Sequence, residues 1–157
     1  MGTFTEKITL SNAGDKVRVA CGLLKEIRAV TLDAMPDIGA WTLIINEETR
    51  QKMGLAIVET VDSSLAEGST IQYGLTEPVE ICWKDRRTSQ EAVVMPDAND
   101  ILLGALPLEG MDLYVDPVNR RLAGVHGDRR VHLVKSSHRA AQETIPCRRT
   151  AAHETFL

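Results

Sequence analysis

The stretch Asp33-Ala34-Met35-Pro36-Asp37-Ile38-Gly39-Ala40-Trp41-Thr42-Leu43-Ile44-Ile45-Asn46 decides how this chain is read. A Pro-Asp-Ile-Gly turn interrupts two apolar segments and leaves one carboxylate, Asp37, at the reversal. Pro36 restricts Met35 to extended geometry, and Gly39 supplies the positive φ that a sharp turn demands. Trp41 to Ile45 is too short and too β-branched for a helix, so it reads as a buried strand with Trp41 in the core. Asn46 is then a helix N-cap, with Glu47 and Glu48 in the first turn, Arg50 and Lys52 later and Gly54 at the end. That order suits the helix dipole at both ends and predicts a short helix.

Outward from this turn, the remaining chain reads as a series of short strands. Phe4, Ile8 and Leu10 precede a turn at Ser11 to Asp15, and Val17, Val19, Cys21 and Leu23 alternate with polar or small residues, which predicts an opening hairpin. Ile27 to Met35 is a β-rich run feeding Asp37. Leu55 to Val61 and Ser69 to Gly74 flank a polar, glycine-bearing tip and predict a long hairpin, whose second arm extends toward Val79, Ile81 and Trp83. Lys84 to Gln90 reads as a charged turn, Ala92 to Met95 as a strand and Ile101 to Leu108 as an apolar run through Gly104. Met111 to Val115 and Leu122 to Val125 close the series around a turn at Asp116 to Asn119. Eight or nine strands with one short helix imply an all-β chain, closed or partly closed into a barrel.

The 157 residues fit a single core, and with 43% apolar but only 4% aromatic residues that core must be aliphatic. The net charge of -4 conceals two different polymers. Residues 1–128 hold 12 Lys and Arg against 20 Asp and Glu, whereas residues 129–157 hold 6 against 2. The expected organisation is a folded body over 1–128 and a basic, flexible tail over 129–157. No apolar run is long enough to span a bilayer and the N-terminus lacks the regions of a signal peptide, so no membrane association and a cytoplasmic location are expected. The three cysteines, Cys21, Cys82 and Cys147, are far apart and outside any Cys-x-x-Cys pair, which argues against a disulfide framework and a zinc site.

The ordered parts resemble the retropepsin-like aspartic proteases, and most of all their small prokaryotic members, over roughly residues 3–127. Asp37-Ile38-Gly39-Ala40 stands where those proteins carry Asp-Thr-Gly or Asp-Ser-Gly. The hairpin with Glu67, Gly68 and Ser69 near its tip stands where they carry a flap over the substrate. Ile101-Leu102-Leu103-Gly104 matches their apolar-apolar-Gly segment, which supports the active-site loop. The resemblance implies an acid-protease fold, an aspartic endopeptidase activity with Asp37 catalytic, and an extended peptide or protein as substrate. It implies no metal and no cofactor.

One Asp-x-Gly per chain has a consequence of its own. Aspartic hydrolysis needs two carboxylates sharing a proton, so the second must come from another copy, which predicts a homodimer. Ile38 keeps the β-branched shape of Thr but lacks its hydroxyl. The alternative is therefore a non-catalytic peptide- or protein-binding module on the same fold, and a third reading is a scaffold that dimerises through apolar edge strands. His126, His132, His138 and His153 have no matched ligand spacing and read as solvated. Ser136-Ser137-His138 lacks the context of a nucleophile. The acidic body with few aromatics argues against nucleic acid as a partner.

Overall fold

The computed structural model describes residues 3–64 and 66–128. The basic tail, with three of the four histidines and Cys147, lies outside the described residues. Eleven strands and three short helices follow one another as β1 (Glu6–Asn12), α1 (Asp15–Ala20), β2 (Ala29–Pro36), β3 (Leu43–Ile45), α2 (Glu47–Lys52), β4 (Ile57–Ser64), β5 (Thr70–Thr76), β6 (Val79–Trp83), β7 (Arg86–Gln90), β8 (Ala92–Val94), β9 (Leu102–Leu103), α3 (Ala105–Gly110), β10 (Leu113–Asp116) and β11 (Arg121–Gly124). Nine strands form one sheet in the order β4-β5-β8-β3-β9-β2-β1-β6-β7, and β10 and β11 form a separate hairpin.

The expectation of a mostly β chain is met, but the sheet is not closed into a barrel. Its two edges are β4 and β7, which do not pair with each other. Among the described residues there are three helices rather than one. The segment expected as the second arm of an opening hairpin is α1, and β1 pairs instead with β2 and β6. The alternation of Val17, Val19, Cys21 and Leu23 misled because those side chains are not the buried face: Val17 is 66% and Leu23 74% exposed. The buried group there is Asp15, a carboxylate. The end of the expected apolar run over 101–108 is also helical, because α3 begins directly after Gly104. Pro107 falls in its first turn, where the missing N–H would have had no helical acceptor.

Lys84 to Gln90, expected as a turn, is mostly the strand β7. Only Lys84, with φ of 51°, and Asp85 make the reversal after β6. The charge that suggested a loop is Arg86, which is 3% exposed and donates to the carbonyls of Met111, Asp112 and Gly127. The second arm of the long hairpin ends at Thr76, and β6 is a separate strand beside β1. The short helix after the Asp37 turn forms as expected, with Asn46 Oδ1 accepting from the Thr49 amide at 2.9 Å.

The core is aliphatic. Ile8, Leu10, Leu43, Ile45, Ile81 and Leu103 are within 1% of fully buried. Each such side chain contributes about 1.5 to 3 kcal/mol relative to exposure. At one end of the sheet a polar cluster takes over. Asp15 accepts from Arg18 Nη1 at 2.9 Å, from Arg28 Nη2 at 2.8 Å, and from the Nε and backbone N–H of Arg28 at 2.9 and 3.0 Å. Glu77 accepts from Arg18 Nη2 at 2.7 Å, Asn12 Nδ2 at 3.0 Å and the Ala56 amide at 3.1 Å. The cluster thereby ties α1 to the root of the β4–β5 hairpin.

The hydrogen bond from the Arg28 guanidinium, opposed by burial, holds the Asp15 carboxyl well below the usual carboxylate range. A depressed folded-state pKa stabilises the fold above the ordinary carboxylate pKa and loses that contribution as the pH falls toward the depressed value. Asp15→Ala is expected to cost about 3 kcal/mol at pH 7, the low end for breaking a buried pair, because Arg18 and Arg28 are 33% and 35% exposed. The gap between variant and wild type should narrow as the pH falls below about 4. Urea denaturation across pH 2 to 7 checks both; a gap independent of pH would contradict the assigned role.

Candidate active site

β2 delivers Asp37 and β3 carries the chain away from it, and the two-residue strand β9 is inserted between them. Met35 and Pro36 pair in parallel with Leu102 and Leu103, while Leu43 and Ile44 pair antiparallel with Leu103 and Leu102. The same two residues therefore brace both sides of the loop. The Asp37 amide donates to the Leu103 carbonyl at 3.0 Å and the Met35 amide to that of Ile101 at 2.8 Å. Within the turn, the Ala40 amide donates to the Asp37 carbonyl at 3.1 Å, and the Gly39 amide to Asp37 Oδ1 at 2.8 Å.

The loop is also clamped by α3. The amides of Ala105 and Leu106 donate to the carbonyls of Ala40 and Trp41 at 2.8 and 2.9 Å. These first-turn N–H groups have no acceptor within the helix, so each bond satisfies two groups that would otherwise lack a partner. Gly104 lets the two segments meet: a Cβ there would stand 2.2 Å from the Thr42 carbonyl oxygen and 2.7 Å from that of Ala40. Gly39 has a different role from the expected one. It is not among the glycines with positive φ; a Cβ on it would stand 3.1 Å from Asp37 Oδ1.

Asp37 is half-buried and lines a groove of about 590 Å³. Phe4, Met35, Ile38, Val118 and Arg120 are among the residues lining it. Ile38 is 75% exposed and Trp41 54%, so Trp41 is not the core residue expected; its carbonyl braces the loop and its ring faces solvent. Ala40, Leu103 and Gly104 are buried and Leu102 is half-buried.

The structure thus gathers Asp37, Ile38, Gly39, Ala40, Leu102, Leu103 and Gly104 into one braced loop. Glu67, Gly68 and Ser69 are exposed at the far end of the β4–β5 hairpin, where Gly68 turns with φ of 82°. Among the described residues, none from that hairpin lines the groove at Asp37 within the single chain. Sequence reasoning missed Phe4, Val118 and Arg120 as neighbours of Asp37. They come from opposite ends of the described chain, and no local pattern links them.

No protein-family model and no curated protein matches the sequence. Among solved structures, the chain is similar to the EIAV protease complexed with the inhibitor HBY-793, at 17% identity and a TM-score of 0.45, covering 69% of this chain and 86% of that one. It is also similar to a retropepsin-like aspartic protease from Rickettsia conorii, at 16% identity and a TM-score of 0.41, covering 74% of this chain and 89% of that one.

Proposed function

We propose that the chain is an aspartic endopeptidase that works as a homodimer, with Asp37 of each copy forming the catalytic pair. The observation that carries this reading is the braced loop. Asp37 is held from behind by Leu103 and within the turn by Ala40 and Gly39, yet remains accessible at a groove.

Two carboxylates a few ångströms apart cannot both ionise, so they hold one proton between them. The ionised member takes a proton from water, which attacks the scissile carbonyl, while the protonated member donates to the carbonyl oxygen. Collapse of the tetrahedral intermediate returns a proton to the departing amine. An extended substrate lies beneath the β4–β5 hairpin and adds to it as a further strand, with alternate side chains seated in pockets. The body over 1–128 is the catalytic unit, and its cytoplasmic location is part of the same proposal.

Ile38 favours a second reading. Without a hydroxyl it cannot donate across the axis to steady the partner loop, and dyad geometry tolerates little slack. On that reading the groove and hairpin capture peptides without hydrolysis.

Peptide cleavage at mildly acidic pH with inhibition by a pepstatin-type compound tests the enzymatic reading. Ile38→Thr, which restores the hydroxyl, is expected to raise the rate about tenfold by tightening the pair. Tight peptide binding with no cleavage by either form would leave the binding module as the function.

A further inference from the structure

We infer that Arg120 sets the substrate preference of the groove at Asp37, and that the peptide it selects carries an acidic side chain among apolar neighbours. The inference rests on the proposed hydrolysis at Asp37 and deepens it by naming the class of substrate.

The lining of the groove supplies the chemistry. Asp37 and Arg120 are its two charged residues among the described residues, and most of the remaining wall is apolar, with Phe4, Met35, Ile38 and Val118 contributing. Ile38 is 75% and Val118 86% exposed, so this apolar surface is open to a ligand. Apolar walls accept many side chains; the few charged groups between them decide which one is preferred.

Arg120 is free to act in that way. It is exposed, and its side chain makes no hydrogen bond or ion pair with the described residues. Its neighbour Arg121 instead reaches back to Asp116 Oδ2 at 3.5 Å. The turn that presents Arg120 is fixed. Asp116 accepts from the amides of Val118 and Asn119, both at 3.1 Å, and from Asn119 Nδ2 at 2.7 Å, and Arg120 itself holds a left-handed φ of 50°. A guanidinium on a braced turn costs less to order, and its planar fork matches the two oxygens of a carboxylate.

The sign of the preference follows. A substrate Lys or Arg is repelled by Arg120, a Gln gains no charge-assisted pair, and a Glu or Asp gains one. Asp37 acts in the opposite sense, but on the proposed mechanism its charge belongs to a pair that holds a proton and engages water and the scissile carbonyl rather than a side chain.

The test uses the full chain and octapeptides of apolar residues, N-acetylated and C-amidated, in which Glu, Gln or Lys is walked through each position. At the preferred position kcat/KM for Glu is expected to exceed that for Gln by about tenfold and that for Lys by more, and the advantage should shrink as salt is raised. Arg120→Gln should bring the ratio of Glu to Gln to within about twofold, Arg120→Lys should keep most of it, and Arg120→Glu should invert the order in favour of Lys. Each ratio is taken on one preparation, so a variant that folds incompletely lowers both rates alike and leaves the ratio readable. If wild type cleaves and Asp37→Asn does not, but no position prefers Glu or the preference survives Arg120→Gln, the role of Arg120 is overturned and the Asp37 reading stands. A preference seen only in the same peptides with a free C-terminus assigns Arg120 to a chain end and overturns selection of a side chain. If no peptide is cleaved, the hydrolytic reading fails, and fluorescence anisotropy of labelled peptides decides the rest: a Glu preference in binding that is lost in Arg120→Gln sustains the selection, and its absence overturns both.

Discussion

Asp37→Asn is expected to lower the rate of peptide cleavage by at least about 10³-fold while leaving the fold intact. Both members of the pair change at once in a symmetric dimer, so neither the general base nor the general acid survives. Losses of 10² to 10⁴ are typical for one such group, roughly. The fold has little at stake, because Asp37 is half-buried and its carboxylate's only hydrogen bond among the described residues comes from the Gly39 amide at 2.8 Å. An Asn side-chain oxygen accepts that bond equally well, so stability should stay within about 0.5 kcal/mol. Initial rates on a peptide substrate and a thermal melt of the same preparation decide the matter. Wild-type cleavage by the variant would remove Asp37 from the chemistry.

The largest effect on the fold is expected from Gly104→Ala, at about 3 kcal/mol or more. The added Cβ would stand 2.2 Å from the Thr42 carbonyl oxygen and 2.7 Å from both the Ala40 oxygen and the Thr42 amide nitrogen. These are backbone atoms, so no side-chain rotation relieves the contact, and the loop or the start of α3 must move away. Either movement breaks the bonds from Ala105 and Leu106 that hold the loop. A urea midpoint measures the loss of stability, and cleavage should fall with it because the same bonds position Asp37. A variant as stable as wild type would show that the loop yields more readily than the spacing implies.

What could be read from the sequence was what depends on near neighbours along the chain. The helix capped by Asn46 follows from adjacent side chains and formed as expected; the turn at Pro36 to Gly39 formed without the positive φ expected at Gly39, and the strand expected over Trp41 to Ile45 formed only over Leu43 to Ile45. α1 was hidden because Val17 and Cys21, four apart, fit a helix as well as an alternating strand, and the deciding contact is between Asp15 and the distant Arg28. β7 was hidden because a buried arginine resembles a loop residue until its carbonyl acceptors are known. Gly104 stood out as part of a motif, but the backbone approach that requires it joins segments far apart in the chain. The same separation concealed Phe4 and Arg120 beside Asp37, and Trp41 looked like core because an aromatic inside an apolar run usually is.

The placement of β9 also governs the order of events during synthesis. The acceptor for the Asp37 amide is the Leu103 carbonyl, and the donors that clamp the loop follow at Ala105 and Leu106. A nascent polypeptide that has emerged only as far as the long hairpin cannot assemble the proposed catalytic loop, however well its own strands have paired. On the proposed reading, hydrolytic competence arrives late in translation, only once β9 and α3 have emerged.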